Sequence, residues 1–238
     1  MTLLPPPAAP ENPATDVHLL WRWASAALDT VLPVSCVGCG RWDHTLCPTC
    51  RQSCGDTAHT SVLADDTTMV SALRYEGPAR AAILAYKEQF RVDAAAYLAN
   101  PFRRASLAAL ATCAPGRPIE LVTIPPSERS WRSRGFTPVH LLARPARLHV
   151  TSRPLRYVRT PRAQKNLSRD EREVNRRGML RAAEPLVGRR FIVVDDVVTT
   201  GSTVMEAARA LRIAGAEVCA VAALAAAPTR LPHPAVDR

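Results

Sequence analysis

The sequence predicts an α/β protein, a doubly wound, mostly parallel sheet with a small cysteine-bearing module on its N-terminal side. Three observations carry this expectation. Short apolar runs, Leu121–Ile124, Phe191–Val194 and Val218–Leu224, alternate with segments whose apolar residues recur at helical spacing. That is the pattern of strands buried on both faces and joined by crossover helices. Two adjacent carboxylates, Asp195 and Asp196, and a hydroxyl-rich turn, Thr199-Thr200-Gly201-Ser202-Thr203, stand at the end of one such run, where open α/β sheets bind their ligands. Two Cys-x₂-Cys pairs, Cys36/Cys39 and Cys47/Cys50, precede the first strand.

Taken in order, residues 1–16 are Pro-rich with few large apolar groups and are expected to be disordered. Val17 to Leu32 carries Leu19, Leu20, Trp23, Ala27 and Leu28 on a helical face ending before Pro33. The cysteine pairs suit two knuckles pinching one tetrahedral zinc, and residues 17–54 form one unit of helix plus knuckle. A disulfide is disfavoured in a cytosolic chain, and redox chemistry would need only one pair. Cys54 and His44 stand nearby as substitute ligands. Gly55 to Asp66 reads as a polar connection to a main domain over 67–227.

In that domain Val70–Leu73 is a strand, Tyr75–Pro78 a turn and Ala79–Phe90 a helix carrying Ile83, Leu84 and Lys87. Ala94–Ala111 is helical but interrupted at Asn100-Pro101. Leu121–Ile124 is followed by Pro125-Pro126 and a basic loop, Arg129–Gly135. Thr137–Leu148 is a helix with Leu141, Leu142 and Leu148 inward, and Leu155–Val158 is a strand before the basic segment Arg159–Arg177. After the strand Phe191–Val194, Thr203 with Glu206 fits a capping box, and Val204, Ala207, Ala208 and Leu211 continue the helix to Gly215. Residues 228–238 form a Pro-containing tail.

Charge is unevenly placed. Arg129 to Arg190 holds 17 Lys or Arg against 4 Asp or Glu, an excess of 13 within a net +10, so the rest of the chain is slightly acidic. Phosphate-rich ligands, small or polymeric, are the natural partners of that band. Aromatics make up 5% of the chain, which counts against a base-stacking platform. No apolar run approaches the about 18 residues of a membrane span, and Met1–Pro13 lacks the basic start and apolar core of a signal peptide. A cytoplasmic protein without membrane insertion is expected.

The chemistry of the turn follows from its residues. Backbone N–H groups of a Gly-containing turn at a helix N-terminus hold a phosphate dianion, and the hydroxyls add donors. Two carboxylates one strand-end away accept hydrogen bonds from vicinal hydroxyls. A phosphate and a diol held together describe a ribose 5-phosphate. The stretch Phe191–Thr203 resembles the loop of type I phosphoribosyltransferases that binds phosphoribosyl pyrophosphate (PRPP), with Asp195, Asp196 and Val197 to Thr203 in the matching positions.

Further landmarks extend the likeness: the four cysteines, Tyr75-Glu-Gly-Pro78 leading to Tyr86-Lys87, Arg132-Ser-Arg-Gly-Phe136, and Gln164-Lys-Asn-Leu167 with Arg172 and Asn175. In this order they resemble the ComF family, phosphoribosyltransferase-like proteins linked to DNA uptake in naturally competent bacteria, over residues 34–227. The chain departs from the family pattern at Thr137-Pro138, where Asn is usual, and at Asn166, where Gly is usual.

The resemblance implies a sheet of the type I phosphoribosyltransferase kind, PRPP as ligand, Mg²⁺ with the pyrophosphate and structural zinc on Cys36, Cys39, Cys47 and Cys50. It implies roles toward pyrophosphate for Arg129, Arg132 and Arg134, and for Lys165 and Arg162 in the 159–177 segment; a solvated basic surface is the competing reading. Lys87 either reaches the site or, the reading preferred here, lays its stem along the helix with its ammonium in water. His140 and His149 receive no role.

Two functions fit. In the first, the ribose carbon of PRPP loses pyrophosphate through an oxocarbenium-like transition state and a nitrogen nucleophile attacks. In the second, a non-catalytic, PRPP-responsive factor binds single-stranded DNA and serves the DNA-uptake machinery. The acceptor-binding segment of the first has no recognisable counterpart in the sequence.

Overall fold

The structure, a computed structural model, describes residues 34–158 and 178–228, and expectations for 1–33, 159–177 and 229–238 lie outside the described residues. The main sheet has six strands: β1 (His59–Val62), β2 (Thr68–Arg74), β3 (Ile119–Thr123), β4 (Val150–Thr151), β7 (Arg190–Val198) and β8 (Glu217–Ala226). They are ordered β1-β2-β8-β7-β3-β4, parallel except for β1, which runs antiparallel along the β2 edge. A separate antiparallel hairpin is formed by β5 (Leu155–Tyr157) and β6 (Leu180–Ala182).

The alternation of side chains along β7 builds two cores. Ile192 and Val194 face one layer, with α2 (Gly77–Glu88), α3 (Ala95–Ala111) and α5 (Pro138–Ala146). Phe191 and Val193 face the other, with α6 (Ser202–Ile213) and the β5–β6 hairpin. All four side chains are fully buried, and each contributes about 1.5–3 kcal/mol. The strand that carries the carboxylates is therefore firmly held from both faces. This is the doubly wound arrangement expected, with a four-cysteine cluster at the N-terminal side.

Several expectations are corrected. The 55–66 connection contains β1, whose four residues are all exposed, so no apolar alternation marked it as a strand. The helix over 94–111 is not interrupted: α3 runs through Pro101, because Leu98, Ala99, Phe102 and Ala105 bury one continuous stripe and packing outweighs the missing N–H. The strand at Leu155 pairs outside the main sheet.

The basic loop after β3 is a helix, α4 (Glu128–Arg134). Ser127 Oγ accepts from Ser130 N at 3.2 Å, Glu128 sits in the first turn, Arg132 and Arg134 in the last, and Gly135 closes it at φ 70°. Within α5 the buried stripe is Val139, Leu142, Ala143 and Ala146, with Leu141 and Leu148 only partly covered. Thr203 and Glu206 form no capping box. The helix begins at Ser202 behind Gly201, and Glu206 turns into the core, where it accepts from Leu180 N at 2.9 Å and pairs with Arg209 at 2.7 Å.

The cysteine module, which includes the short helix α1 (Pro48–Ser53), is tied to the main domain by Thr45 Oγ1 donating to Asp93 (2.8 Å) and by the Arg51 guanidinium over the Tyr97 ring (4.1 Å). Among the described residues no helix is long and apolar enough to cross a membrane.

Candidate functional site

Strand β7 lies between β8 and β3 and carries Asp195 and Asp196 to the carboxyl end of the sheet. Successive residues point to opposite faces, so the two carboxylates do not share one environment. Asp196 is 6% exposed and receives the Lys87 ammonium at 3.0 Å. Asp195 is half-buried, and its Oδ1 accepts from the Asp196 backbone N–H at 2.8 Å. Burial, and then the neighbouring Asp196 charge, push the Asp195 carboxyl up to about 7, against the opposing pull of that N–H and of Lys87.

Lys87 is therefore not a solvated surface group. It follows Ala82, Ile83 and Tyr86 on the buried side of α2, and its stem leads the ammonium to the strand end. Tyr86 fixes this helix in place. Its buried phenol donates to the Pro138 carbonyl at 2.7 Å, and its ring lies 5.8 Å from that of Phe136. Burial, and then the Asp196 charge, raise the phenol's pKa, so it stays protonated as a donor. The Thr137-Pro138 departure is thus accommodated: Pro138 opens α5, where a missing N–H costs nothing, and offers its carbonyl to Tyr86.

Beyond Val198 the chain turns through exposed Thr199 and Thr200 to Gly201 at φ 77° and then enters α6. Thr200 Oγ1 and Ser202 Oγ are 3.0 Å apart, and Ser202 N donates to Thr200 Oγ1 at 3.4 Å. Asp195 and the residues from Val197 to Val204 surround a small hollow at this turn. Glycine suits position 201: the left-handed φ strains any other residue, and an added Cβ would stand 2.9 Å from Leu63 Cδ2 and push that side chain aside. Leu63, from the β1–β2 connection, thus supports the loop from beneath, a contact no spacing in the sequence signals. The turn opens a twelve-residue helix, whose dipole and first N–H groups favour an anion.

The other candidates divide. Arg132 is 80% exposed at its side chain and pairs with Glu128 at 3.3 Å, while Arg134 is half-buried. The side chain of Arg129 and residues Lys165 and Arg162 lie outside the described residues. His140 is half-buried, and burial lowers its pKa, so it stays neutral.

The four cysteines Cys36, Cys39, Cys47 and Cys50 bring their sulfurs within 4.8 Å of one another, a cluster that can hold a metal such as zinc. Cys39 and Cys47 sulfurs are 3.7 Å apart, against about 3.8 Å for the edge of a tetrahedron with zinc–sulfur bonds of about 2.3 Å. Cys54 is directed elsewhere, its thiol donating to the Cys50 carbonyl at 3.2 Å, and His44 is not part of the cluster.

A strand-end carboxylate pair beside a glycine turn at a helix N-terminus, in a sheet of this order, defines the phosphoribosyltransferase type of α/β protein, and the phosphoribosyl transferase domain family matches residues 132–237. The DNA utilization protein YhgH of Escherichia coli O6:H1 (strain CFT073) is 31% identical over 192 residues, covering 76% of this chain and 84% of that protein. The Salmonella typhi protein of the same name is 34% identical over 153 residues, covering 62% and 67%. The chain belongs to the ComF-like family of these DNA utilization proteins.

Proposed function

We propose that the chain binds PRPP with Mg²⁺ and transfers its phosphoribosyl group to a nitrogen nucleophile with release of pyrophosphate. The observation that supports this most is the pairing of two unlike carboxylates with a phosphate-type turn on one strand end. In this reading the Thr199–Thr203 turn holds the 5-phosphate through backbone N–H groups and hydroxyls. Asp196, paired with Lys87, accepts from one ribose hydroxyl. Asp195, which binds a proton more readily, accepts from or donates to the other. The carboxylate pair also stabilises positive charge as it develops on the ribose. Arg132 and Arg134 follow the neighbouring strand β3 and would meet the pyrophosphate. Mg²⁺ would neutralise pyrophosphate charge through the ligand's own oxygens and water, and no side chain of this chain is assigned to it. Cys36, Cys39, Cys47 and Cys50 would hold structural zinc, in a closed site with no open position for catalysis.

Calorimetric titration with PRPP and Mg²⁺, followed by pyrophosphate release across a panel of nitrogen bases, tests the reading. The parent should bind, and the Asp195→Asn, Asp196→Asn double variant should lose about 1–3 kcal/mol per weakened hydrogen bond. Equal affinity of the two proteins would remove the ribose assignment. Binding without pyrophosphate release from any base would favour the second function, a PRPP-responsive factor that contacts single-stranded DNA. The relatives' name as DNA utilization proteins and the excess of 13 positive charges between Arg129 and Arg190 favour that link to DNA. The cytoplasm is the compartment we propose for either.

A further inference from the structure

Two large aromatic side chains stand open to solvent beside this site with no structural role in view. Phe90 is 59% exposed and Trp131 is 52% exposed. Phe90 ends the turn that follows α2, one helical turn past Lys87. Its backbone is left-handed at φ 56°, a conformation that is a genuine outlier for a bulky residue. The fold thus bears strain at Phe90 without burying its ring. Trp131 lies in α4, one turn before Gly135 and Phe136, and α4 makes no extensive contact with any other described element.

The ends of these two helices meet at the site. Tyr86 of α2 contacts Phe136 and donates to Pro138, just past α4, while Lys87 reaches Asp196. Helix α4 follows β3, whose last residue, Thr123, lies beside Val194, immediately before the carboxylates. Phe90 and Trp131 therefore lie in the two chain segments that flank the carboxyl end of β7. Arg132 and Arg134 stand on the same short helix as Trp131, and Arg134 shares its face at i, i+3.

We propose that Phe90 and Trp131 are stacking surfaces for unpaired bases of a nucleic-acid strand whose phosphates run along Arg132 and Arg134. This rests on the reading that the ligand site is the strand end of β7. A strand fits better than a free base for two reasons. Both rings are more than half exposed, so each offers an open face rather than an enclosed slot. The adjoining guanidinium groups complement phosphates linked to the stacked bases, which a free base lacks. The low aromatic content of the chain matters less than where its exposed rings lie.

The experiment compares binding of a fluorescent 20-residue thymidine oligonucleotide and an abasic oligonucleotide of equal length, by anisotropy at low salt. The proteins are the full chain and its Trp131→Ala, Trp131→Phe and Phe90→Gly variants. Phe90→Gly removes the ring and relieves the left-handed strain together, so its fold is not weakened. Loss of either ring should weaken the thymidine oligonucleotide by about five- to a hundredfold, leave the abasic one unchanged, and leave PRPP binding unchanged; Trp131→Phe should retain most of the affinity. Parental affinity in Trp131→Ala, equal losses for both oligonucleotides, or no binding by the parent would each overturn the proposal. So would free thymidine binding the parent as tightly as the oligonucleotide, because that identifies a small-base site. The Asp195→Asn, Asp196→Asn variant separates the two readings: unchanged PRPP affinity there would sink the ribose assignment while leaving the ring result standing.

Discussion

Replacing Asp195 by Asn should stabilise the ligand-free protein above neutral pH while weakening PRPP binding. The carboxyl is pushed up to about 7 by burial and by the Asp196 charge, and neither the Asp196 N–H at 2.8 Å nor the Lys87 ammonium offsets this fully. An unfolded chain holds an aspartate near about 3.9. Between those values the folded protein keeps a proton that the unfolded chain has released. Stability therefore falls as pH rises from about 4 to about 7, and is level above that. The full difference corresponds to at most about 4 kcal/mol. Asp195 is partly open to water, which reduces the expected effect to about 1–2 kcal/mol. Urea unfolding of parent and variant at pH 5 and pH 8 measures it. The parent should lose stability relative to Asp195→Asn on going to pH 8, and the variant should be the more stable protein there. A parent that gains on the variant between pH 5 and pH 8 would refute the electrostatic account of the site.

Lys87→Met should cost about 1–3 kcal/mol, because it leaves the buried Asp196 carboxylate without its counter-charge; adding Asp196→Asn should restore most of it in urea unfolding, and an unchanged single variant would show the pair to be dispensable. Gly201→Ala should lose about 1–2 kcal/mol from the left-handed backbone, more once the Cβ meets Leu63, and should weaken PRPP binding by calorimetry; parental stability would show that the turn relaxes freely. Elemental analysis should find one zinc per chain, and a strong chelator should unfold the cysteine module while the far-ultraviolet signature of the sheet persists, since the sheet's two cores contain none of the four cysteines. Absence of stoichiometric zinc would remove the metal, and loss of all secondary structure would remove the independence of the sheet.

What could be read in the sequence was what rests on period and position. The apolar runs at 191–194 and 218–224 have to be central strands, and the carboxylates and the glycine turn after the first of them have to lie at its carboxyl end. Edge and local features were harder. Strand β1 has no buried residue, so it carries no alternation and exists because β2 offers it a backbone to pair with. Helix α4 did carry signals: Ser127 as cap, Glu128 first, the arginines last and Gly135 at the end. The basic charge of the segment masks them, because it suits a solvated loop equally well. Glu206 looked like a capping partner by spacing, yet its carboxylate is more useful to the buried Leu180 N–H, a partner 26 residues away. Lys87 likewise carries no local mark of its role, since its partner is 109 residues distant.

These contacts between distant parts of the chain bear on how the site works. Lys87, Tyr86, Leu63 and Glu206 each act on the loop or its flanking elements from another part of the chain, so none is marked by the loop motif itself. Lys87 holds the charge of Asp196, Tyr86 sets the helix that delivers Lys87, and Leu63 closes the space under Gly201. Remove these supports and the same motif would still read Asp-Asp followed by Thr-Thr-Gly, but its two carboxylates would repel without compensation. The unlikeness of Asp195 and Asp196, one poised near neutrality and one paired, is therefore a property of the whole fold. A test that changes only the loop cannot separate motif from support. Lys87→Met can, because it leaves every loop residue in place and alters only the charge that distinguishes the two carboxylates.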